Sequence, residues 1–313
     1  MQGTIAVIGA GNVGLTTAFL LASHGLGSIV LVDIDEEVTR GKALDLQHAT
    51  AFFGHSISIK GTSDYSMIQG ASLAIITAGF PRKPGMSRDD LLEKNCSIVA
   101  TASKHIRQYC PSAIVIVVTN PLDVMTYACL STTGFPPHKV VGMAGVLDTL
   151  RLKAHVGEAL HISPNQIEAM IIGTHGDDMV CVNEKLTANG KPLKDSLQED
   201  KIHTIISRVQ KSGAEVVGLL KTGSAYLAPA SATFSMAKAI LNDQKIVLPC
   251  CCFLDGQYGI SGICIGVPAV LGKKGIEEIK EILLSHQEKE QFKKSAEHIR
   301  EETEKVKAIL TRT

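Results

Sequence analysis

Along the first half of the chain, apolar residues gather into short β-branched runs instead of spreading at helical spacing. The runs at residues 4–8, 29–32, 57–59, 73–77, 113–119 and 140–143 are apolar almost throughout, as strands covered on both faces are. Helical spacers separate several of them, so residues 1–145 are expected to form a doubly wound parallel sheet. The pattern then changes. In VLDTLRLKAHVGEAL, Leu147, Leu150, Val156 and Leu160 recur at helical spacing, and residues 167–172 read as a strand. Asn189-Gly190 is a hairpin turn signal. Residues 201–221 and 225–241 read as helices, 246–253 and 263–267 as strands. Residues 287–310 form a charged helix with Phe292, Ala296, Ile299 and Val306 as its apolar positions. This mixture predicts a second, α+β domain over residues 146–313.

Punctuation between the runs carries the chemistry. Residues 4–8 lead at once into GAGNVG, which puts Gly9, Gly11 and Gly14 in GxGxxG spacing between a strand and a helix. The first glycine permits a tight turn, the second lets backbone approach a pyrophosphate, and the third lets helix pack on strand. The next strand ends in Asp33, about 20 residues on, where this unit places an acid on the adenosine ribose. A carboxylate there repels a 2′-phosphate, and neither Ile34 nor Asp35 can receive one. NAD is therefore expected rather than NADP. The fold class that results is α/β, a Rossmann sheet whose ligand crevice lies beyond the strand carboxyl ends, at residues 9–14, 33, 77–88 and 119–121.

One of those loops is GFPRKPGMSRDDLL, residues 79–92. Pro81, Pro84 and Gly85 hold it out of regular structure, and Ser87 with Asp90 forms a capping box that starts a helix. Arg82 and Arg88 on such a loop can close over an anion as a lid; by itself the stretch reads equally as a solvated basic turn. Asn120, before Pro121, offers an amide that donates and accepts, although Asn-Pro is also an ordinary turn. Asp148 and Arg151 share a helix face, as surface ion pairs often do. His175, flanked by Gly173 and Gly176, can exchange a proton near neutral pH.

Composition narrows the partners. Lys plus Arg equals Asp plus Glu, 31 against 31, so no basic field awaits a nucleic acid. No run of about 18 apolar residues suggests a membrane span, and no charged segment precedes a long apolar run near Met1, so a cytoplasmic protein is expected. The 8 cysteines lack zinc-type spacing, and no metal site is expected.

Taken in order, GAGNVG, Asp33, SRDDLL, VVTNPLDV, GVLDTLR and GTHGDDMV span more than half of the chain and resemble the lactate and malate dehydrogenase superfamily. The resemblance implies hydride transfer between nicotinamide and a 2-hydroxy acid. It implies that His175 is the acid/base, that Asp148 orients it, that Arg151 clamps the substrate's C1 carboxylate, and that Arg88 polarises the carbonyl while Asn120 helps hold it. Cofactor contacts are expected at Gly9, Gly11, Asn12, Gly14, Asp33, Asn95, Thr119 and Asn120. Arg82 matches the lid position at which lactate enzymes carry glutamine and malate enzymes arginine, so a dicarboxylic substrate, malate or oxaloacetate, is expected. Lactate, or another 2-hydroxy acid, is the alternative substrate. Thr174 departs from the glycine or glutamate often found before the histidine. Members of this type are commonly homo-oligomers, dimers or tetramers. Two other readings are a metal-dependent NAD glycosidase, whose pairing of a metal-binding cysteine and histidine is not evident here, and a nucleotide-binding protein without chemistry.

Overall fold

The computed structural model describes residues 3–80, 87–176 and 178–312, with the backbone but not the side chain of Arg88. Its first half alternates strand and helix: β1 (Thr4–Ile8), α1 (Asn12–Ser23), β2 (Ser28–Val32), α2 (Glu36–Thr50), β3 (Ile59–Thr62), β4 (Leu73–Ile76), α3 (Arg88–Tyr109), β5 (Ile114–Val117), α4 (Leu122–Thr133) and β6 (Val140–Gly142). The strands run parallel in the order β3-β2-β1-β4-β5-β6. Alternate residues of one strand enter different cores: Ile5 and Val7 pack in one, Ala6 and Ile8 in the other. A strand buried on both faces has no polar side to show, which is why these runs read as continuously apolar.

The second half comprises α5 (Ala144–Leu160), β7 (Ile167–Glu168), β8 (Ile171–Gly173), β9 (Met179–Cys181), β10 (Thr187–Ala188), β11 (Lys191–Pro192), α6 (Glu199–Leu220), α7 (Leu227–Leu241), β12 (Ile246–Asp255), β13 (Ser261–Gly272), β14 (Gly275–Ile279) and α8 (His286–Leu310). It continues the same sheet. β12 pairs antiparallel with β6 at Cys251 and Gly142, extending the order to β12-β13-β8-β9, with β14 on β13. A small sheet, β11-β10-β7, stands apart, with the hairpin turn at Asn189 and Gly190, both at positive φ.

Several expectations shift. The third strand lies at Ile59–Thr62 instead of 57–59: Gly61 lets it pass under α2, where a Cβ would stand 2.2 Å from the Thr39 carbonyl oxygen. The single strand expected at 167–172 is two, because the chain changes sheets at Ala169 and Met170; β7 pairs with β10, and β8 pairs with β9 and β13. Leu150 is 39% exposed although its spacing suggested burial. β13 runs past Pro268, which pairs with Pro249, so that two residues without an amide donor face each other and the ladder continues beyond them.

Candidate active site

The strand order reverses between β1 and β4, and both loops leaving that point face the crevice. After β1, Gly9 takes φ +103 and its Cβ would strike the backbone of Ala78 at 2.5 Å; a Cβ on Gly14 would stand 1.9 Å from the Gly9 carbonyl oxygen. At Gly11, by contrast, nothing lies within 4 Å. Gly11 also caps α1 without a side-chain hydrogen bond, so amides of the first helical turn are left for a ligand, and Asn12 beside it is exposed. Asp33 closes the cradle. Its Oδ2 accepts from Ala10 N at 2.6 Å and its Oδ1 from Ile34 N at 2.7 Å, which fixes the carboxylate at the end of β2 beside the glycine turn. Open backbone at the second glycine, tight packing at the first and third, and a fixed acid at the neighbouring strand end fit a dinucleotide.

The loops after β4 and β5 are tied together. Thr77 Oγ1 donates to the Gly9 carbonyl at 2.9 Å, and Thr119 Oγ1 to that of Ala78 at 2.6 Å. Asn95 on α3 is 2% exposed; its Oδ1 accepts from Phe80 N at 2.6 Å and its Nδ2 donates to the Asn120 carbonyl at 2.7 Å. Asn95 and Thr119 therefore engage backbone on the crevice walls. The Asn120–Pro121 bond is cis, and Asn120 is exposed. α3 begins at the expected capping box, Ser87 Oγ accepting from Asp90 N and Asp90 Oδ2 from Ser87 N. Residues 81–86 of the expected lid, Arg82 among them, lie outside the described residues, as does the Arg88 side chain.

Across from these loops, Gly145 lets α5 approach β8 so closely that a Cβ would lie 2.2 Å from the Ile171 carbonyl oxygen, and Thr149 Oγ1 accepts from Ile171 N at 3.1 Å. This packing sets Asp148, one turn into α5, against the loop that leaves β8. Asp148 is 2% exposed. Its Oδ2 lies 2.8 Å from His175 Nδ1 and its Oδ1 3.2 Å from Arg151 Nη1. The carboxylate fixes the tautomer with Nδ1 protonated, leaving Nε2 as the nitrogen that Asp148 does not engage. Burial pulls the imidazole toward neutrality. The Asp148 charge and hydrogen bond oppose this, Asp123 adds to them and Arg151 subtracts, and the net effect is a pKa above the ordinary 6.5.

Asp123 was legible only as one letter of VVTNPLDV. It is 3% exposed in the first turn of α4, and its Oδ2 accepts from both His175 N at 3.0 Å and Thr174 Oγ1 at 2.9 Å. Ser295 on α8 accepts from Thr174 N at 2.8 Å. An acid in a first helical turn ordinarily answers the helix dipole, and spacing alone does not distinguish this one. Among the described residues, no group of three or more His, Cys, Asp or Glu could hold a metal ion.

Comparison with known proteins agrees with this geometry. Residues 4–142 match the model of the lactate/malate dehydrogenase NAD binding domain, and residues 145–310 that of the lactate/malate dehydrogenase alpha/beta C-terminal domain. Malate dehydrogenase 1 of Anaeromyxobacter dehalogenans is 46% identical over 305 residues, 97% of this chain and 98% of that protein. The crystal structure of Cryptosporidium parvum malate dehydrogenase superposes with a TM-score of 0.95 at 42% identity, covering 98% of this chain and 100% of that one. The lactate dehydrogenase of Cryptosporidium parvum, complexed with lactic acid and nicotinamide adenine dinucleotide, does so at 0.94 and 37%, covering 98% of each chain. Two family models that between them span nearly the whole length leave one conclusion: the chain belongs to the lactate/malate dehydrogenase family.

Proposed function

We propose that the chain is an NAD-dependent malate dehydrogenase in which His175 exchanges a proton with the substrate oxygen. The observation that carries this is the buried Asp148–His175 pair at 2.8 Å, with Arg151 on the same carboxylate. When bound, NAD supplies the hydride carrier. Gly9, Gly11, Asn12 and Gly14 with the α1 N-terminus would hold its pyrophosphate and Asp33 its ribose hydroxyls, and Asn95, Thr119 and Asn120 would shape the wall beside it. In the oxaloacetate direction, protonated His175 donates from Nε2 to the carbonyl oxygen. In the malate direction, the neutral imidazole takes the hydroxyl proton. Asp148 orients the ring and stabilises its charged form. The Arg151 N–H groups not engaged by Asp148 bind the C1 carboxylate, and Asn120 holds the reacting oxygen. Arg88 polarises that oxygen as charge develops.

Arg82 selects the substrate. Facing a second carboxylate it is paired; facing the methyl of pyruvate it is not, and truncating one side of such a pair costs ~2 to 5 kcal/mol. At ~1.4 kcal/mol per tenfold, that is roughly one and a half to three and a half decades. Both malate and lactate enzymes share this fold, so the malate reading rests on Arg82 and on the names that the sequence relatives carry. Side-by-side NADH oxidation decides it: kcat/KM for oxaloacetate should exceed that for pyruvate, and Arg82→Gln should lower the former far more. Equal rates on the two acids would exclude a malate enzyme.

The same reading divides the chain into a cofactor half, residues 1–145, and a substrate half, residues 146–313. It also makes the protein a cytoplasmic homo-oligomer. Among the described residues no helix is long and apolar enough to cross a membrane. Phe52 is 89% exposed and meets Phe53 edge to face, as Phe53 meets Phe19, an apolar cluster suited to burial against another copy. Sedimentation velocity at the monomer mass would remove that part of the reading.

A further inference from the structure

We propose that Asp123 is a second carboxylate serving His175: from α4 it fixes the backbone of the catalytic loop and sets a negative charge close enough to favour the protonated imidazole. The inference rests on His175 being the proton-transfer group.

Three observations carry it. The loop that bears His175 is held at two successive amides from two different helices, His175 N by Asp123 Oδ2 at 3.0 Å and Thr174 N by Ser295 Oγ at 2.8 Å. Thr174 Oγ1 donates to the same Asp123 oxygen at 2.9 Å, so a hydroxyl and an amide converge on one buried atom. The other oxygen, Oδ1, is buried with no N–H or O–H donor among the described residues, and the weak donor that the carboxyl meets from β12 is the Cys251 thiol. A fold that needed only a tether could use a neutral acceptor. Burial raises the Asp123 carboxyl above its ordinary value, while the His175 amide, the Thr174 hydroxyl, the His175 charge and the Cys251 thiol pull it back. A buried carboxylate is costly to retain, and ionised beside His175 it has a use that an amide lacks.

The charged and titratable groups facing this cluster are few among the described residues. Asp148 and Arg151 come from α5, Asp123 from α4 and the Cys251 thiol from β12. On α8, Lys294 and His298 pair with Asp178 farther along the loop. Of these, Asp148 and Asp123 favour imidazolium and Arg151 opposes it.

Asp123→Asn keeps an oxygen that can accept both donors and removes the charge. The Cε1–H resonance of His175, assigned by its loss in His175→Asn, is titrated by NMR in wild type and D123N without substrate or cofactor. Its midpoint should fall in D123N, and the alkaline limb of kcat/KM for oxaloacetate should move down with it, while NADH affinity stays within about twofold. An unmoved midpoint overturns the electrostatic role. The tether is tested separately, and also covers the case in which D123N does not fold. Thr174→Val should lower kcat on the order of tenfold and speed amide exchange at residues 173–176, with Thr174→Ser restoring both. Wild-type kcat and exchange in T174V would overturn it. If the wild type does not reduce oxaloacetate, the malate reading fails, yet the titration still reports whether Asp123 acts on His175.

Discussion

His175 stands under opposed pressures, and its pH behaviour follows from which one wins. Burial favours the neutral ring, but the Asp148 charge and hydrogen bond together with the Asp123 charge outweigh it and the Arg151 charge, so the folded pKa lies above 6.5. A raised histidine contributes stability that is fully present below the unfolded value and is lost as pH rises through the folded one. With His175 as the proposed proton donor, catalysis carries the same sign: oxaloacetate reduction should hold beyond pH 6.5 and decline only through the raised pKa. Asp148→Asn leaves an oxygen for Nδ1 but removes the charge, so the decline should begin at lower pH; a pH profile of kcat/KM checks this, and an unmoved limb would separate Asp148 from the ionisation. His175→Asn should cut kcat by about 10²- to 10⁴-fold while NADH still binds. The pairing of Asp148 with His175 was not visible in spacing, since 27 residues separate them; the family resemblance joined them. Asp123 escaped even that, because its partners are a backbone amide and a hydroxyl 52 and 51 residues away.

Elements were legible where local chemistry alone decides them. β1, β2 and β4 to β6 fall where continuous apolar runs place them, and α3 starts at its capping box. β3 and the β7/β8 break were not, because they depend on what packs against them: α2 over Gly61, and the Thr149 hydroxyl that takes Ile171 N. The glycine turn shows how one motif mixes both kinds of constraint. Gly14→Ala drives a methyl into the Gly9 carbonyl oxygen at 1.9 Å, and should destabilise the fold by about 1 to 3 kcal/mol through forced separation of α1 from β1. Gly11 has φ −73 and open space around it, so Gly11→Ala should change stability by no more than about 0.5 kcal/mol. The methyl would nevertheless occupy the approach to the pyrophosphate, and NADH should bind about tenfold more weakly, ~1.4 kcal/mol. Thermal melts and NADH titrations of the two variants separate packing from binding; unchanged affinity in Gly11→Ala would mean that the turn does not carry the phosphates.

At the scale of the whole molecule, the NAD-binding half and the C-terminal half share both a sheet and a core. β6 and β12 pair across the boundary, and one hydrophobic cluster joins Ile5, Val7 and Leu31 to Met236, Ile265 and Ile299. The helix α1, which opens on the proposed pyrophosphate site, packs directly on α7 of the second half. Separate unfolding of the halves would therefore expose a continuous apolar surface on each and break the sheet where Cys251 meets Gly142. The physical consequence is that a ligand held by the first half must stabilise the second. At a concentration about 100 times its Kd, NADH adds ~2.7 kcal/mol to any opening that abolishes its site. Amides whose exchange requires global unfolding, expected in β5 and in β12 and β13 alike, should slow by the same factor when NADH is added. Hydrogen exchange read peptide by peptide tests this. Protection gained throughout residues 4–142 but absent from the slowest amides of 246–272 would show that the halves open independently, and that the shared sheet does not couple the cofactor site to the strands behind His175.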